Sequence, residues 1–224
     1  MTIKNRIVTE NICLHIGCGL VTGKDWINTD VSPSLRISQL PLVGKLLITA
    51  INGPLWHKSV RYLDIVEGSK GLQGTCDLIY ASHVLEHLAL SDFHQALDNI
   101  KNYLKDGGIF RALVPDLNKY IELYQQERNN QELQNKAAMN FIESIGIGCT
   151  VSRSNFYKRI NEALANSRHQ WMWDTLSLQE AFIQHGFEHV RQCEYGDYTD
   201  KRFAQIERQE TFANAICIEG IAKK

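Results

Sequence analysis

Short apolar runs that end in turn residues alternate along this chain with longer segments in which apolar positions recur every three or four residues. Residues 12–16, I-C-L-H-I, run into Gly17-Cys18-Gly19 and predict a buried strand that ends in a tight turn. W-I-N-T-D-V at 26–31 predicts a second strand with Asp30 near its end, V-R-Y-L-D-I around 60–65 a third, and C-D-L-I-Y-A-S at 76–82 a fourth. From Ser91 to Leu104 the residues Phe93, Leu97, Ile100 and Leu104 share one helical face, with Ser91 as N-cap and Lys105-Asp106-Gly107-Gly108 as a glycine stop. I-F-R-A-L-V-P at 109–115 predicts a fifth strand. Residues 118–143 read as helical with a polar break at E-R-N-N-Q-E, and F-Y-K-R-I-N-E-A-L-A at 156–165 reads as another helix. L-S-L-Q-E-A-F-I-Q-H-G-F at 176–187 predicts a helix closed by Gly186, and two late strands follow near 187–195 and 214–221. Strands alternating with helices and glycine turns predict an α/β fold on a parallel sheet. The helix-rich stretch at about 118–170 is too long for a plain connection and predicts a helical cap inserted into a single domain spanning 1–224.

Composition narrows the function classes. With 224 residues, 44% hydrophobic, 22% charged and a net charge of -1, the chain has enough apolar material for a sizeable core and no basic run. Nucleic acid is therefore not an expected partner. The six cysteines are scattered without a C-x-x-C pair, and several sit in apolar runs as small buried hydrophobes, which fits a reducing, cytoplasmic compartment. The first residues are mixed and polar, and no secretory signal is expected from them. The apolar stretch 40–56 is interrupted by Lys45, two glycines and two prolines, too short for a membrane span; a helix packed over a pocket or onto the domain is expected, with membrane contact open but not expected.

Two patterns carry candidate chemistry. A strand followed by Gly-x-Gly lets backbone approach a ligand, and an acid at the end of the next strand suits ribose hydroxyls; Gly17, Gly19 and Asp30 have this arrangement, with Asp64 closing the third strand. His83, Glu86 and His87 have the spacing H-x-x-E-H of a class of zinc peptidases. There, both histidines lie on one helix; here Ser82 and His83 end a sheet strand, where α/β sheets bind ligands, so no metal is assigned from this spacing. His83 is the first candidate for a base or acceptor-orienting group, because a histidine titrates near neutrality. Asp116, after the fifth strand, is either an acceptor contact or an N-cap. His169 stands in H-Q-W-M-W-D, where Trp171 and Trp173 either cover a methyl site or anchor the cap.

Taken together, L-H-I-G-C-G, W-I-N-T-D-V, C-D-L-I-Y-A-S-H-V-L-E-H-L, L-K-D-G-G-I-F-R-A-L-V-P-D-L and H-Q-W-M-W-D resemble the class I S-adenosylmethionine-dependent methyltransferases, especially the small bacterial type 11-like members. The resemblance runs from about Cys13 to Leu117 and more loosely from His169 onward. It implies a Rossmann-like, doubly wound sheet of about seven strands with the last one antiparallel, and S-adenosyl-L-methionine as cofactor. It places Gly17, Cys18 and Gly19 under the methionine part, Asp30 on the ribose, Asp64 and Ile65 at the adenine, and Ser82 at the strand end beside them. His15 stands where the family usually has an acid. The implied activity is methyl transfer to a small-molecule or glycan-linked acceptor. The alternatives are a catalytically silent binding protein of the same fold and a metal-dependent hydrolase using His83, Glu86 and His87.

Overall fold

The structure is a computed structural model and describes residues 11–148 and 168–224. Seven strands form one sheet: β1 (Ile12–Ile16), β2 (Trp26–Asp30), β3 (Arg61–Tyr62), β4 (Cys76–Ser82), β5 (Leu104–Pro115), β6 (Phe187–Cys193) and β7 (Ala215–Ala222). Their order is β3-β2-β1-β4-β5-β7-β6. All the pairings from β3 to β5 are parallel, whereas β7 runs antiparallel to both β5 and β6. The expected α/β sheet with its antiparallel last strand is thus present. Among the described residues the helices are α1 (Pro33–Ser38), α2 (Gly44–Ala50), α3 (Leu90–Tyr103), α4 (Leu117–Asn129), α5 (Ala137–Ser144) and α6 (Thr175–Gln184).

Period-two alternation divides the sheet into two faces. Leu14, Ile16, Ile79, Ala81, Phe110 and Ala112 pack against Phe93, Leu97 and Ile100 of α3 and Leu178 and Phe182 of α6. The opposite face carries Cys13, Trp26, Leu78 and Tyr80, covered by Phe203 and Ile206 from the 3-10 turn Lys201–Gln205 and its end. Neither this turn nor a second one at Gln209–Phe212 is marked by any periodicity in the sequence.

Several local expectations need correction. α3 starts at Leu90 behind Ala89, so Ser91 lies inside the helix and is not its N-cap. The glycine pair after α3 lies within β5, which begins at Leu104. Gly107 takes φ +75°, and a Cβ on Gly108 would come within 3.1 Å of the Cys76 carbonyl oxygen, so glycine lets this strand start bend past β4. The third strand is only Arg61–Tyr62, because it is an exposed sheet edge and the Asp64 carboxylate then turns the chain by accepting the Val66 N–H at 2.9 Å. In the segment 40–56, α2 buries Ile48 but leaves Leu42, Leu46, Ile51 and Leu55 exposed. No helix among the described residues is long and apolar enough to cross a membrane. The helical reading of 118–143 resolves into α4 and α5, tied by Asn140 donating to Glu127 at 2.8 Å. The helix expected at 156–165 lies outside the described residues.

Candidate active site

The glycine turn after β1 and the end of β2 are bound to each other. Gly19 N–H donates to Asp30 Oδ2 at 3.0 Å, and Ser32 N–H donates to Asp30 Oδ1 at 2.8 Å. Asp30 is buried, yet each oxygen keeps lone-pair capacity beyond its one backbone partner. Gly17 and Gly19 have φ of +60° and +52°, a backbone region that favours glycine. Their surroundings differ: a Cβ on Gly19 would meet nothing within 4 Å, while one on Gly17 would fall 2.3 Å from Val84 Cγ2. Gly19 therefore leaves open space above the turn, and Gly17 accommodates the neighbouring turn after β4. Cys18 points into a small apolar cluster with Leu35 and Val60, and burial pushes its thiol up to about 12, leaving only its backbone for a ligand.

His15 is buried on the face of Trp26 and Tyr80, with ring centroids 6.4 and 5.4 Å away. Burial pushes its pKa down to about 4, so it is neutral near pH 7, and its Nδ1 has no hydrogen-bond partner among the described residues. On the other side of the turn, Asn28 clasps Gly23: it accepts from the Gly23 N–H and donates to the Gly23 carbonyl, both at 2.9 Å. Sequence spacing does not reveal this clasp. Asp64 uses Oδ1 for its turn, and Ile65 is a core residue whose carbonyl accepts from Asn99 Nδ2 at 2.7 Å.

The turn after β4 forms a second corner. Ser82 ends β4 half-buried, and His83 follows with φ +53°, a left-handed conformation held by its N–H donating to the Leu113 carbonyl at 2.8 Å. His83 Nε2 donates to the Thr211 carbonyl at 3.0 Å, and Nδ1 lies 3.3 Å from Glu86 Oε1. Burial works downward on its pKa, but the Glu86 carboxylate and the Thr211 carbonyl outweigh it and leave His83 raised. Glu86 is 0% exposed, and neither carboxylate oxygen has a hydrogen-bond partner among the described residues. His87 Nε2 and His169 Nε2 approach the same Oε1 to 3.8 and 3.9 Å. His169 reaches it because the Gln170 and Trp171 N–H groups both donate to the Glu86 carbonyl, at 2.7 and 3.2 Å. Burial lowers the His169 pKa despite this carboxylate.

Asp116 is the N-cap of α4, accepting from the Asn118 N–H at 3.0 Å. It also pairs through backbone with Trp173, a core residue 4.3 Å from Phe93, while Trp171 is exposed. The structure thus brings together Gly17, Cys18, Gly19 and Asp30 in one group, and His83 and His169 in another around Glu86.

A methyltransferase-domain family model matches residues 45–192, more than half of the chain. The chain belongs to this family. It is a class I methyltransferase, and its donor is S-adenosylmethionine. No curated protein matches the chain in sequence. Among solved structures, a complex of the Haloferax volcanii Trm112 methyltransferase activator with a methyltransferase is 16% identical with TM-score 0.50, over 96% of this chain and 82% of that one. The CurJ carbon methyltransferase is 13% identical with TM-score 0.49, over 99% of this chain and 51% of that one, so the chain spans about half of that relative. An Archaeoglobus fulgidus S-adenosylmethionine-dependent methyltransferase is 15% identical with TM-score 0.46, over 94% and 86%. At this identity the first of these likenesses shows the shared fold.

The methyltransferase's own residues fit the donor. The space over Gly19 and the remaining acceptor capacity of Asp30 lie at the carboxyl end of β1 and β2, where such sheets bind nucleosides.

Proposed function

We propose that the chain methylates a small-molecule or glycan-linked acceptor, with the donor held at the glycine turn and the acceptor presented at the corner after β4. The observation that carries this reading is the bond between Gly19 and Asp30, which fixes an open glycine turn beside a buried acid with acceptor capacity to spare. In this arrangement Gly17, Cys18 and Gly19 offer backbone under the methionine part, Asp30 accepts from the ribose hydroxyls, and Asp64 with the Ile65 backbone meets the adenine. When bound, S-adenosylmethionine supplies an electrophilic methyl group on its sulfonium. Ser82 and His83 form the edge nearest the acceptor, with His169 and Asp116 behind them. Both nitrogens of His83 are engaged, which favours an orienting role over that of a free base.

One observation favours the silent binding protein as a second reading: neutral His15 brings no negative charge for the donor's ammonium. Calorimetric titration with S-adenosylmethionine and S-adenosylhomocysteine separates the two. Micromolar binding that Asp30→Ala weakens tenfold or more, about 1.4 kcal/mol, is expected for the donor site; turnover on a panel of hydroxyl and amine acceptors then distinguishes the enzyme from the binder. No detectable binding sinks the donor-site assignment.

A further inference from the structure

The corner around Glu86 has a charge problem that its present partners do not solve. A fully buried carboxylate without hydrogen bonds is costly, and such groups are normally paired or coordinate a metal. Three imidazole nitrogens face Oε1, at 3.3, 3.8 and 3.9 Å, and yet none makes an aligned hydrogen bond to it.

The tautomers explain what is missing. A carbonyl oxygen only accepts, so His87 Nδ1, which lies 3.1 Å from the Arg168 carbonyl, carries the hydrogen there. Its Nε2 then turns a lone pair toward Glu86. His83, whose Nε2 donates to the Thr211 carbonyl, takes a further proton on Nδ1 3.3 Å from the same oxygen, but this contact is not an aligned hydrogen bond and leaves His87 and His169 facing the carboxylate with nothing between them. A lone pair facing a carboxylate is repulsive unless something positive sits between them. Separate protons on neighbouring imidazoles would repel one another, since the His87 and His169 ring centroids are only 5.0 Å apart. A single shared cation removes both problems.

We propose that Glu86, His87 and His169 bind one divalent transition-metal ion, of the zinc class. Their ligand atoms lie within 4.8 Å of one another. Tetrahedral ligands at zinc bond lengths of about 2.1 Å stand roughly 3.4 Å apart, so the Glu86–His87 and Glu86–His169 separations close by a few tenths of an ångström on binding. Two imidazoles and one carboxylate suit zinc and its neighbours better than magnesium or calcium. The backbone carbonyl on His87 Nδ1 is the kind of outer contact that fixes a metal-binding tautomer. Three protein ligands leave a fourth position for water or an oxygen ligand. His83 orients Glu86 from the other side. The ion also ties the 168–173 segment to the end of β4, across a long separation in sequence. This assignment rests on the corner alone and stands or falls independently of donor binding.

The test is titration of chelator-treated protein with Zn2+ against a chromophoric competitor, and with Co2+ followed by visible absorption. One equivalent is expected to bind with micromolar or tighter affinity, and Co2+ to develop visible ligand-field bands. Glu86→Gln and His169→Ala are expected to weaken binding by at least about tenfold, with far-UV circular dichroism and S-adenosylhomocysteine binding serving as fold controls. His185→Ala, in the separate His94–His185–Asp98 chain with contacts of 2.9 and 2.7 Å, is expected to leave binding unchanged. Absence of stoichiometric binding, binding unchanged in both Glu86→Gln and His169→Ala, or loss with His185→Ala overturns the proposal. Where a variant fails to fold, the wild-type Co2+ spectrum decides: no bands overturn the site, and bands from nitrogen and oxygen ligands support it.

Discussion

Among the described residues, the buried carboxylates around Arg111 and the buried carboxylate of Glu86 solve the same electrostatic problem to different degrees. On the face of Tyr80, Arg111 is fully buried and spends its guanidinium completely: Nε donates to Glu207 Oε1 at 2.5 Å, and one terminal nitrogen donates to Glu219 Oε1 at 2.7 Å and the Asp197 carbonyl at 2.9 Å. The other terminal nitrogen reaches the Glu194 carbonyl at 3.1 Å, and the rings of Tyr198 and Phe203 lie 5.1 and 5.7 Å from the guanidinium carbon. Burial alone would lower the Arg111 pKa, but its acidic neighbours raise it, so the charge stays. At the Glu86 corner, equal burial meets three loosely placed imidazoles and no hydrogen bond. A completed network is a structural fastener, whereas an incomplete one leaves coordination capacity for something else.

The sharpest way to break this contrast is Arg111→Met, which strands the buried Glu207 carboxylate and leaves Glu219 to Arg191 Nη2 at 2.8 Å and Thr199. It is expected to cost about 3–5 kcal/mol in urea unfolding, the range for removing one partner of a buried ion pair. A loss below about 1 kcal/mol would show that the network fastens little.

His15 provides an intermediate case, a buried polar group that avoids the problem by staying neutral. Its neighbours are Tyr80, Trp26, Asn28, Asp30 and the more distant Arg208. Because burial holds its pKa at about 4 against 6.5, the unfolded chain binds more protons than the native one between these values. Stability therefore falls as pH drops from 6.5 to 4, by about 3 kcal/mol from this residue. His15→Leu is expected to flatten that part of the pH–stability curve, measured by denaturant unfolding across the window. An unchanged slope would mean that His15 titrates normally.

The smallest expected effect is that of Glu86→Gln in chelator-treated protein, within about 1 kcal/mol of wild type, because the substitution removes a charge that makes no hydrogen bond. A cost comparable to that of Arg111→Met would erase the distinction between the two clusters.

How much of this was legible in the sequence depends on how local the information is. β1 at 12–16 and β4 at 76–82 could be read to the residue, since both are short apolar runs stopped by turn residues. The Gly17-Cys18-Gly19 turn and Asp30 were legible for the same reason. The ends of α3 were not, because Leu90 enters the helix behind extended Ala89 without any side-chain cap, and β5 follows Tyr103 directly. The long-range pairings were also hidden. Arg111 sits in the apolar run I-F-R-A-L-V, a signal that it is buried, but its partners Glu207 and Glu219 lie about a hundred residues away. His169 meets Glu86 only because two backbone N–H groups dock beside it, which no spacing rule encodes.

The contact between Gly17 and Val84 carries one more consequence. With Val84 Cγ2 standing where a Cβ of Gly17 would be, the turn after β1 and the turn after β4 share a van der Waals boundary. Val84 follows His83 and lies two residues before Glu86, so a side chain at position 17 would displace the turn that carries the histidine corner. Gly17 is thereby a constraint on the corner after β4 as much as on its own turn, and a larger residue there is expected to cost packing at both.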